Sequence, residues 1–236
     1  MSLDKKNQIS TILISKNKTP RKDLAWCDQV IILDAIKDCA ENRNQALKQA
    51  KNRWVLFLKE NEFVSRELAK EVTNFINLAD QKGYTGAQII SKRVFLEQAF
   101  NYGAWFAKKE IRLGRRVGEW SKKNGSLVWN FPGQKTILAN FLIHRPYQNL
   151  AQLLTTTNQQ TTIKAQRAHQ HQKKCPIFWV VFSPWTTFKK SFFLKLGFLD
   201  GSAGFILATL EAFKTFLVNS KLWLLGQQKK TIRADN

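Results

Sequence analysis

Three short apolar runs, each ending abruptly in polar residues, constrain the fold of this chain more than any other feature. They are ISTILIS at residues 9–15, QVIILD at 29–34 and WVLFL at 54–58. The third run is apolar throughout, which is typical of a strand buried on both faces of a parallel sheet. Because segments with helical spacing lie between and after these runs, the alternation predicts an α/β fold. We expect a Rossmann-type, mostly parallel sheet flanked by helices.

One helix and one further strand are predicted in the middle of the chain. The segment SRELAKEVTNFINLAD, residues 65–80, has apolar residues on one helical face, and Ser65 is placed to cap its first turn. The segment GAQIISKRVFL, residues 86–96, is typical of a strand. Residues 1–150 are therefore predicted to form an α/β domain, followed by a helical region over residues 151–236.

The polar residues after the three apolar runs are the first candidates for a binding site. Lys16-Asn17-Lys18 follows the first run, Asp34 ends the second, and Lys59-Glu60-Asn61-Glu62 follows the third. Ligands of open α/β sheets bind at the carboxyl ends of the strands. We therefore expect the three polar ends to converge on one hollow that is large enough for a nucleotide.

The charge of the chain favours a polyanionic partner. Lys and Arg number 38 against 17 Asp and Glu, so the formal net charge is +21, which favours either nucleic acid or anionic lipid headgroups. No RNP motif, zinc-ligand spacing or helix-turn-helix pattern is present, and the lysines run through apolar segments. The sequence therefore favours an anionic membrane surface and not nucleic acid.

Two apolar segments near the end of the chain indicate how it meets that surface. Residues 177–196 and 203–225 mix aromatic side chains with lysines. A charge at the centre of a bilayer costs about 2.5–3.5 kcal/mol, and charges interrupt both segments, so neither predicts a clean membrane span. Aromatic segments flanked by lysines are typical of helices that lie in the interface plane. The alternative is a pair of core helices that pack on the sheet.

The cellular location follows from the cysteines and from the start of the chain. Three cysteines at wide spacing suit a reducing cytosol better than a disulfide framework. The segment MSLDKKNQIS lacks the apolar core of a signal peptide. We expect a cytoplasmic protein that is peripheral on the inner face of the cell membrane.

Several segments resemble one enzyme family. FFLKLGFLDGSAGFILATLEAFKTFLVNSKLW, residues 192–223, resembles the C-terminal segment of family-2 glycosyltransferases related to lipopolysaccharide-core β-glucosyltransferases. WCDQVIILD, AENRNQAL, WVLFLKENEFVSRELAKEV and NFLIH resemble further segments of the same family, so that the resemblance covers nearly the whole chain.

The resemblance implies a GT-A fold and transfer of a sugar from a nucleotide-sugar to a lipid-linked or lipopolysaccharide-core-type acceptor at the membrane. It also implies Mg²⁺ or Mn²⁺, held by an Asp-X-Asp motif that neutralises the leaving diphosphate. It assigns nucleotide-binding roles to the following residues: Ser15, Asn17, Asp34, Asp38, Arg43 and Asn44. Arg93 and Arg112 match positions in the acceptor half that hold phosphate.

For four of these residues an ordinary structural role is the alternative. Asp34 and Asp38 are residue types that form turns and helix caps at strand ends. Arg43 and Asn44 are equally compatible with an exposed pair in the first turn of a helix.

The chain departs from the family at the residues that carry its chemistry. Lys59 and Asn61 stand where the family has the two metal-binding aspartates, which leaves Glu60, Asn61 and Glu62 as the candidate metal ligands. Lys59 is placed to counter the diphosphate charge in the manner of a cation. Asn130 aligns with the family's base, and an amide cannot usefully accept a proton. Two hypotheses therefore stay open: a membrane-associated glycosyltransferase, and a degenerate homologue that acts as a binding or scaffold partner at the membrane.

Overall fold

The computed structural model describes residues 8–17, 21–95, 97–105, 108–123 and 126–234, which separate into two compact units. The sheet unit comprises the described residues up to 92 together with 108–144. The helical unit comprises the described residues of 93–107 and those from 145 onward. Lys18 of the first polar end lies outside the described residues.

The strands and helices are numbered here in chain order. The strands are β1 Ile9–Ser15, β2 Gln29–Asp34, β3 Trp54–Lys59, β4 Glu62–Phe63, β5 Tyr84–Phe95, β6 Gln98–Phe100, β7 Lys108–Arg115, β8 Glu119–Lys123, β9 Ser126–Asn130 and β10 Gln134–His144. The α-helices are α1 Ala40–Gln49, α2 Arg66–Ala79, α3 Leu150–Gln170, α4 Ile177–Lys189 and α5 Gly201–Ala234. A π-helical turn, Lys190–Leu194, follows α4, and the short 3₁₀ helix Gly197–Asp200 precedes α5.

The fold is α/β with a mixed sheet in the order β2-β1-β3-β7-β5-β10-β4. β1 lies between β2 and β3 and pairs in parallel with both. The pairings of β3 with β7, of β5 with β6 and β7, and of β10 with β4 are antiparallel. The expectation of a mostly parallel sheet is therefore correct for the first three strands only. Apolar runs predict that a strand is buried but leave the direction of its neighbour open, and mixed sheets are common among large ones.

Alternate residues of β1 and β3 point to opposite faces of the sheet, and both faces are covered. Trp54, Leu56 and Leu58 belong to the core that contains the apolar face of α2, while Val55 and Phe57 belong to the core that contains α1. This arrangement confirms that the WVLFL run is buried on both sides. The predicted cap is also confirmed, because the Ser65 hydroxyl accepts the N–H of Leu68 at 3.1 Å.

The antiparallel hairpin β8–β9 covers part of the α1 face. Trp120 and Trp129 stack with their ring centroids 5.6 Å apart, and each meets the Phe57 ring edge-on. Burial of such aromatic rings contributes strongly to a core. The hairpin is thereby fixed to the sheet through β3.

In the helical unit, α5 packs against both α3 and α4. Phe95, Phe100, Trp105, Leu153 and Leu207 form its apolar core. Among the described residues one helix, Gly197–Gln227, is long and apolar enough to cross a membrane by length and composition, with a mean hydropathy of 1.3. Core helices of soluble proteins meet the same criterion when they are mostly buried, whereas only 17% of this window is buried.

Candidate functional site

The polar ends of β1, β2 and β3 lie side by side at one edge of the sheet. The parallel register places Ser15 opposite Asp34 and Ile14 opposite Lys59. This finding confirms the expected arrangement of the three strand tips. One groove of the sheet unit, of about 730 Å³, lies between α1 and the turn around Arg116, and another, of about 380 Å³, lies beside the start of β2. Neither of these two grooves is lined by Ser15, Asp34 or Lys59, so the hollow expected at the strand tips stays a prediction.

The β1 and β2 tips present short polar side chains in local turns. The Ser15 hydroxyl accepts the N–H of Asn17 at 3.0 Å, and an Asp34 carboxylate oxygen accepts the N–H of Ile36 at 2.9 Å. These bonds are the turn chemistry that Asp and Ser commonly supply after a strand. Asp34, Lys16 and Asn17 are exposed, so the tip of this edge is accessible to a ligand.

The carboxylate of Glu62 is engaged inside the protein. Its Oε1 accepts from Arg112 Nη2 at 2.6 Å and its Oε2 accepts the N–H of Lys59 at 2.9 Å. Glu62 is 1% exposed and Arg112 is 3% exposed. The same guanidinium lies 2.6 Å from Glu110, whose carboxylate is 3.8 Å from Lys59 Nζ. Arg112 on β7 therefore neutralises Glu62 on β4, and Glu110 links the guanidinium of Arg112 to the exposed Lys59 side chain.

The other two candidate metal ligands flank this ion pair. Glu60 Oε2 accepts the N–H of Lys16 at 3.3 Å, and Asn61 is exposed. Arg21 donates to the backbone carbonyls of Glu60 and Glu62 at 3.2 and 2.6 Å and holds the turn between β3 and β4. A hard divalent cation requires several free oxygen ligands, and this turn does not provide them while Glu62 is bound to Arg112.

The described part of the chain contains no group of three or more His, Cys, Asp or Glu side chains that could hold a metal ion. The assignment of Mg²⁺ or Mn²⁺ to Glu60, Asn61 and Glu62 thus stays a prediction. The arrangement of basic residues at this edge fits an anion better than a cation.

Asp38, Arg43 and Asn44 form a clamp between α1 and the hairpin. Two guanidinium nitrogens of Arg43 donate to the Asp38 carboxylate at 2.6 and 2.8 Å, and the guanidinium lies 4.1 Å from the ring centroid of Trp120. The Asn44 amide donates to the carbonyl of Trp120 at 3.0 Å and accepts its N–H at 2.7 Å. All three side chains therefore have structural partners in this conformation. Trp120, which they contact, and its stacking partner Trp129 were not among the residues that the sequence indicated.

Asn130 and Arg93 have partners of their own outside the three strand tips. The Asn130 amide donates to the Ser121 hydroxyl at 2.8 Å within the hairpin, where Asn130 pairs with Glu119. Glu119 is exposed and lines the larger groove together with Asn44. Arg93 belongs to the helical unit, where its guanidinium lies 5.8 Å from the ring centroid of Trp105.

The edge thus combines ammonium, amide, hydroxyl and carboxylate groups on adjacent strand tips. Ammonium and amide groups donate to phosphate oxygens, and a carboxylate accepts from sugar hydroxyls. Arg21 and Glu110 belong to this edge and were missed, because their contacts with Glu60, Glu62 and Lys59 join segments that are distant in sequence. No protein-family model matches the chain.

Proposed function

We propose that this protein binds a nucleotide-sugar at the carboxyl edge of β1, β2 and β3, and that it transfers the sugar to a lipid-linked or lipopolysaccharide-core-type acceptor. The observation that carries the proposal is the register that puts Ser15, Asp34 and Lys59 on adjacent tips of three parallel strands. Nucleotides bind at such edges in open α/β sheets. A parallel triplet continued by antiparallel strands is compatible with a GT-A fold, which the family resemblance also implies.

The residues of the edge suit the parts of a nucleotide-sugar. Asp34 accepts hydrogen bonds from ribose or base, and Ser15 and Asn17 lie one strand away. The Lys59 ammonium is 47% exposed and offers a positive charge to the diphosphate. Because the ion contact between Lys59 and Glu110 is long at 3.8 Å, the ammonium can turn to an incoming phosphate. The carboxylates of this edge do not fit a divalent cation, so no step of the proposal passes through one.

In the transfer step, an acceptor hydroxyl oxygen forms a bond to the anomeric carbon of the sugar. The bond between that carbon and the diphosphate oxygen breaks, and its electron pair leaves with the diphosphate, which Lys59 stabilises electrostatically. The hydroxyl proton requires a base, and the amide of Asn130 cannot take this role. Glu110 is 40% exposed and its carboxylate lies 3.8 Å from Lys59 Nζ, and it is the carboxylate of this edge that we assign to this role.

A second function is favoured by the bonds of Glu62. A carboxylate neutralised by Arg112, together with an amide at the expected base position, is what a homologue that binds without catalysis would show. In that case the edge binds the nucleotide-sugar, and the protein acts as a binding or scaffold partner at the membrane.

Calorimetric titration with UDP, GDP, ADP and CMP tests binding. We expect one of these nucleotides to bind, and Lys59→Ala and Asp34→Ala to weaken that binding at least tenfold. Lys82→Ala is the matched control, because Lys82 is an exposed lysine in the turn after α2. A wild-type protein that binds none of the nucleotides would refute both functions.

Transfer of radiolabelled sugar to a glycolipid extract then separates the two functions. Turnover that is lost in Glu110→Gln while nucleotide binding persists supports the transferase. Nucleotide binding without turnover, with or without Mn²⁺, supports the non-catalytic homologue.

A further inference from the structure

We infer that the helical unit is a one-leaflet membrane anchor, in which α4 and the turn after it insert into an anionic lipid interface while α3 faces water. This inference does not depend on the chemistry at the sheet edge. It assigns a lipid-binding surface to named side chains and excludes a membrane-crossing path for α5. Its basis is the distribution of apolar, polar and charged groups within the helical unit.

The outer face of α4 is apolar and unusually exposed. Phe178, Trp179, Val181, Phe182 and Trp185 are between 48% and 67% exposed. Single exposed apolar residues are normal on soluble proteins, but a contiguous apolar face is typical of a surface that binds a partner or a membrane. We call these five side chains the α4 face.

The inner side of α4 carries polar contacts beside the buried Val180 and the Phe188 ring, which packs against Phe205 of α5. The Ser183 hydroxyl, which is buried, accepts from the Asn219 amide of α5, and the hydroxyls of Thr187 and Thr215 lie 3.2 Å apart. Small and polar side chains between helices, with large apolar ones outside, are typical of helices that contact lipid. Water is therefore the less suitable solvent for the outside of α4.

The turn between α4 and α5, residues 189–199, adds basic residues to this apolar surface, and we call it the elbow. The π-helical turn leaves Phe193 and Leu194 at 55% and 79% exposed, and Leu199 is 52% exposed. The exposed Lys189 and Lys190 begin the same turn. Large apolar side chains beside lysines match an interface in which the ammonium groups meet lipid headgroups.

The acidic residues of this region are turned inward, so the outer surface is complementary to anionic lipid. Asp200 and Glu211 are the only acids between residues 177 and 227. Asp200 accepts the N–H groups of Asn101 and Tyr102, and Glu211 accepts from the Trp105 indole and from Lys214. A basic, apolar surface of this kind selects an anionic membrane over a neutral one.

The polar contacts and the polar outer side of α3 are evidence against a membrane-crossing path for α5. Lys221 on α5 donates to the backbone carbonyl and amide oxygen of Asn158, and to the hydroxyls of Thr161 and Thr162, all on α3. The other side of α3 exposes Gln, Lys and Arg side chains. Because α3 packs along α5, a bilayer around α5 would bury these polar groups in hydrocarbon at high cost. The polar side of α3 therefore faces water while the α4 face and the elbow meet lipid.

Flotation with vesicles tests the charge complementarity. Vesicles of phosphatidylcholine are compared with vesicles that also contain about 30% phosphatidylglycerol, which gives them an anionic surface. We expect Lys189→Glu/Lys190→Glu to lower the binding constant for anionic vesicles at least tenfold. The control Lys164→Glu/Arg167→Glu makes the same change of charge on α3. We expect it to alter the binding constant for anionic vesicles less than threefold. Equal loss in both variants would overturn the assignment of the lipid face.

Insertion is measured by quenching of tryptophan fluorescence with lipids brominated on their acyl chains. We expect quenching in the wild type and loss of most of it in Trp179→Phe/Trp185→Phe, which keeps the face apolar. Trp120→Phe, in the hairpin of the sheet unit, is the control and is expected to keep the quenching. Binding without quenching would overturn insertion.

Protease protection distinguishes one leaflet from a span. The protein, with one tag at each terminus, is added to preformed vesicles, and we expect external protease to remove both tags. Protection of the C-terminal tag would show that α5 crosses the bilayer. Self-association in sedimentation experiments without vesicle binding would show that the α4 face binds a second copy, and either result would overturn the inference.

Discussion

The guanidinium of Arg112 lies 2.6 Å from the carboxylate of Glu62, and both side chains are almost completely buried beside the end of β3. The pair joins β7 to the short strand β4, and Glu62 also fixes the backbone of Lys59. A buried carboxylate without such a partner is strongly unfavourable. The buried ion pair therefore fixes the backbone at the tip of β3, from which the exposed Lys59 side chain extends.

Breaking this pair from one side is expected to destabilise the protein strongly. Arg112→Met leaves the Glu62 charge buried and uncompensated, which costs about 3–5 kcal/mol. The double variant Glu62→Leu/Arg112→Met removes both charges and is expected to recover most of that loss. Urea unfolding followed by fluorescence measures the free energies.

Arg53→Met is the control for the buried pair. The ion pair between Arg53 and Asp80 has both side chains about half exposed, and such pairs contribute about 0–1 kcal/mol. If Arg112→Met lowers the free energy of unfolding no more than Arg53→Met does, the Glu62 carboxylate finds another partner in the variant. The predicted cost of the broken pair would then be wrong.

The strand tips were predictable from the sequence, whereas the partners of the site residues were not. Strand and helix periodicity identified β1, β2, β3 and α2, and parallel pairing alone then brings their carboxyl ends to one edge. Arg112 lies 50 residues beyond Glu62 and Trp120 lies 76 residues beyond Asn44. Local spacing contains no signal for contacts at such separation, so the buried ion pair and the clamp were visible only in the fold.

The contacts within the helical region were likewise not predictable from the sequence. Composition indicated aromatic segments with lysines, but the polar contacts inside the unit depend on which faces meet. Lys221 was indistinguishable from the lysines of the elbow by composition, although its ammonium is held by Asn158 and two threonines of α3.

Removal of the Asn44 side chain is expected to loosen the hairpin β8–β9. Asn44→Ala deletes one donor and one acceptor that satisfy the backbone of Trp120, and an unsatisfied buried polar group costs about 1–3 kcal/mol. Hydrogen exchange at the Trp120 amide should accelerate by at least tenfold. Asn42→Ala is the control, since the Asn42 side-chain amide donates to the carbonyl of Lys37 in an exposed bond. Unchanged exchange at Trp120 would contradict the clamp.

Loss of the α2 cap is expected to be modest and dependent on pH. Ser65→Ala removes the acceptor for the Leu68 N–H, at a cost of about 1 kcal/mol. The pKa of Glu67 is lowered by a hydrogen bond from its own backbone N–H and by one from Ser65. A lowered pKa contributes stability above the ordinary carboxyl pKa that is lost as the pH falls through the folded-state value.

The difference in unfolding free energy between wild type and Ser65→Ala should therefore be larger at pH 7 than at pH 3. Urea unfolding at the two pH values measures it. Thr73→Ala is the control within α2, because the Thr73 hydroxyl donates to the Ala69 carbonyl of the same helix and the variant should show no such dependence. A difference that grows on acidification would contradict the assignment of Glu67.

Cys27 is expected to resist alkylation until the sheet unit unfolds. Burial raises the pKa of the Cys27 thiol from 9.0 to about 12, although the contact with the Thr11 hydroxyl at 3.0 Å lowers it in part. The thiolate is the reactive form, and its population stays small at pH 8 while the fold is intact. Peptide mass spectrometry after iodoacetamide treatment at increasing urea should show modification of Cys27 rising with the unfolding transition. Cys175 is the control: its pKa is also raised by burial, but it follows the exposed residues 171–174 between α3 and α4, so its alkylation should begin without urea. Complete modification of Cys27 in native buffer at pH 8 would contradict this prediction. It would show that the segment before β2 opens while the rest of the sheet unit stays folded.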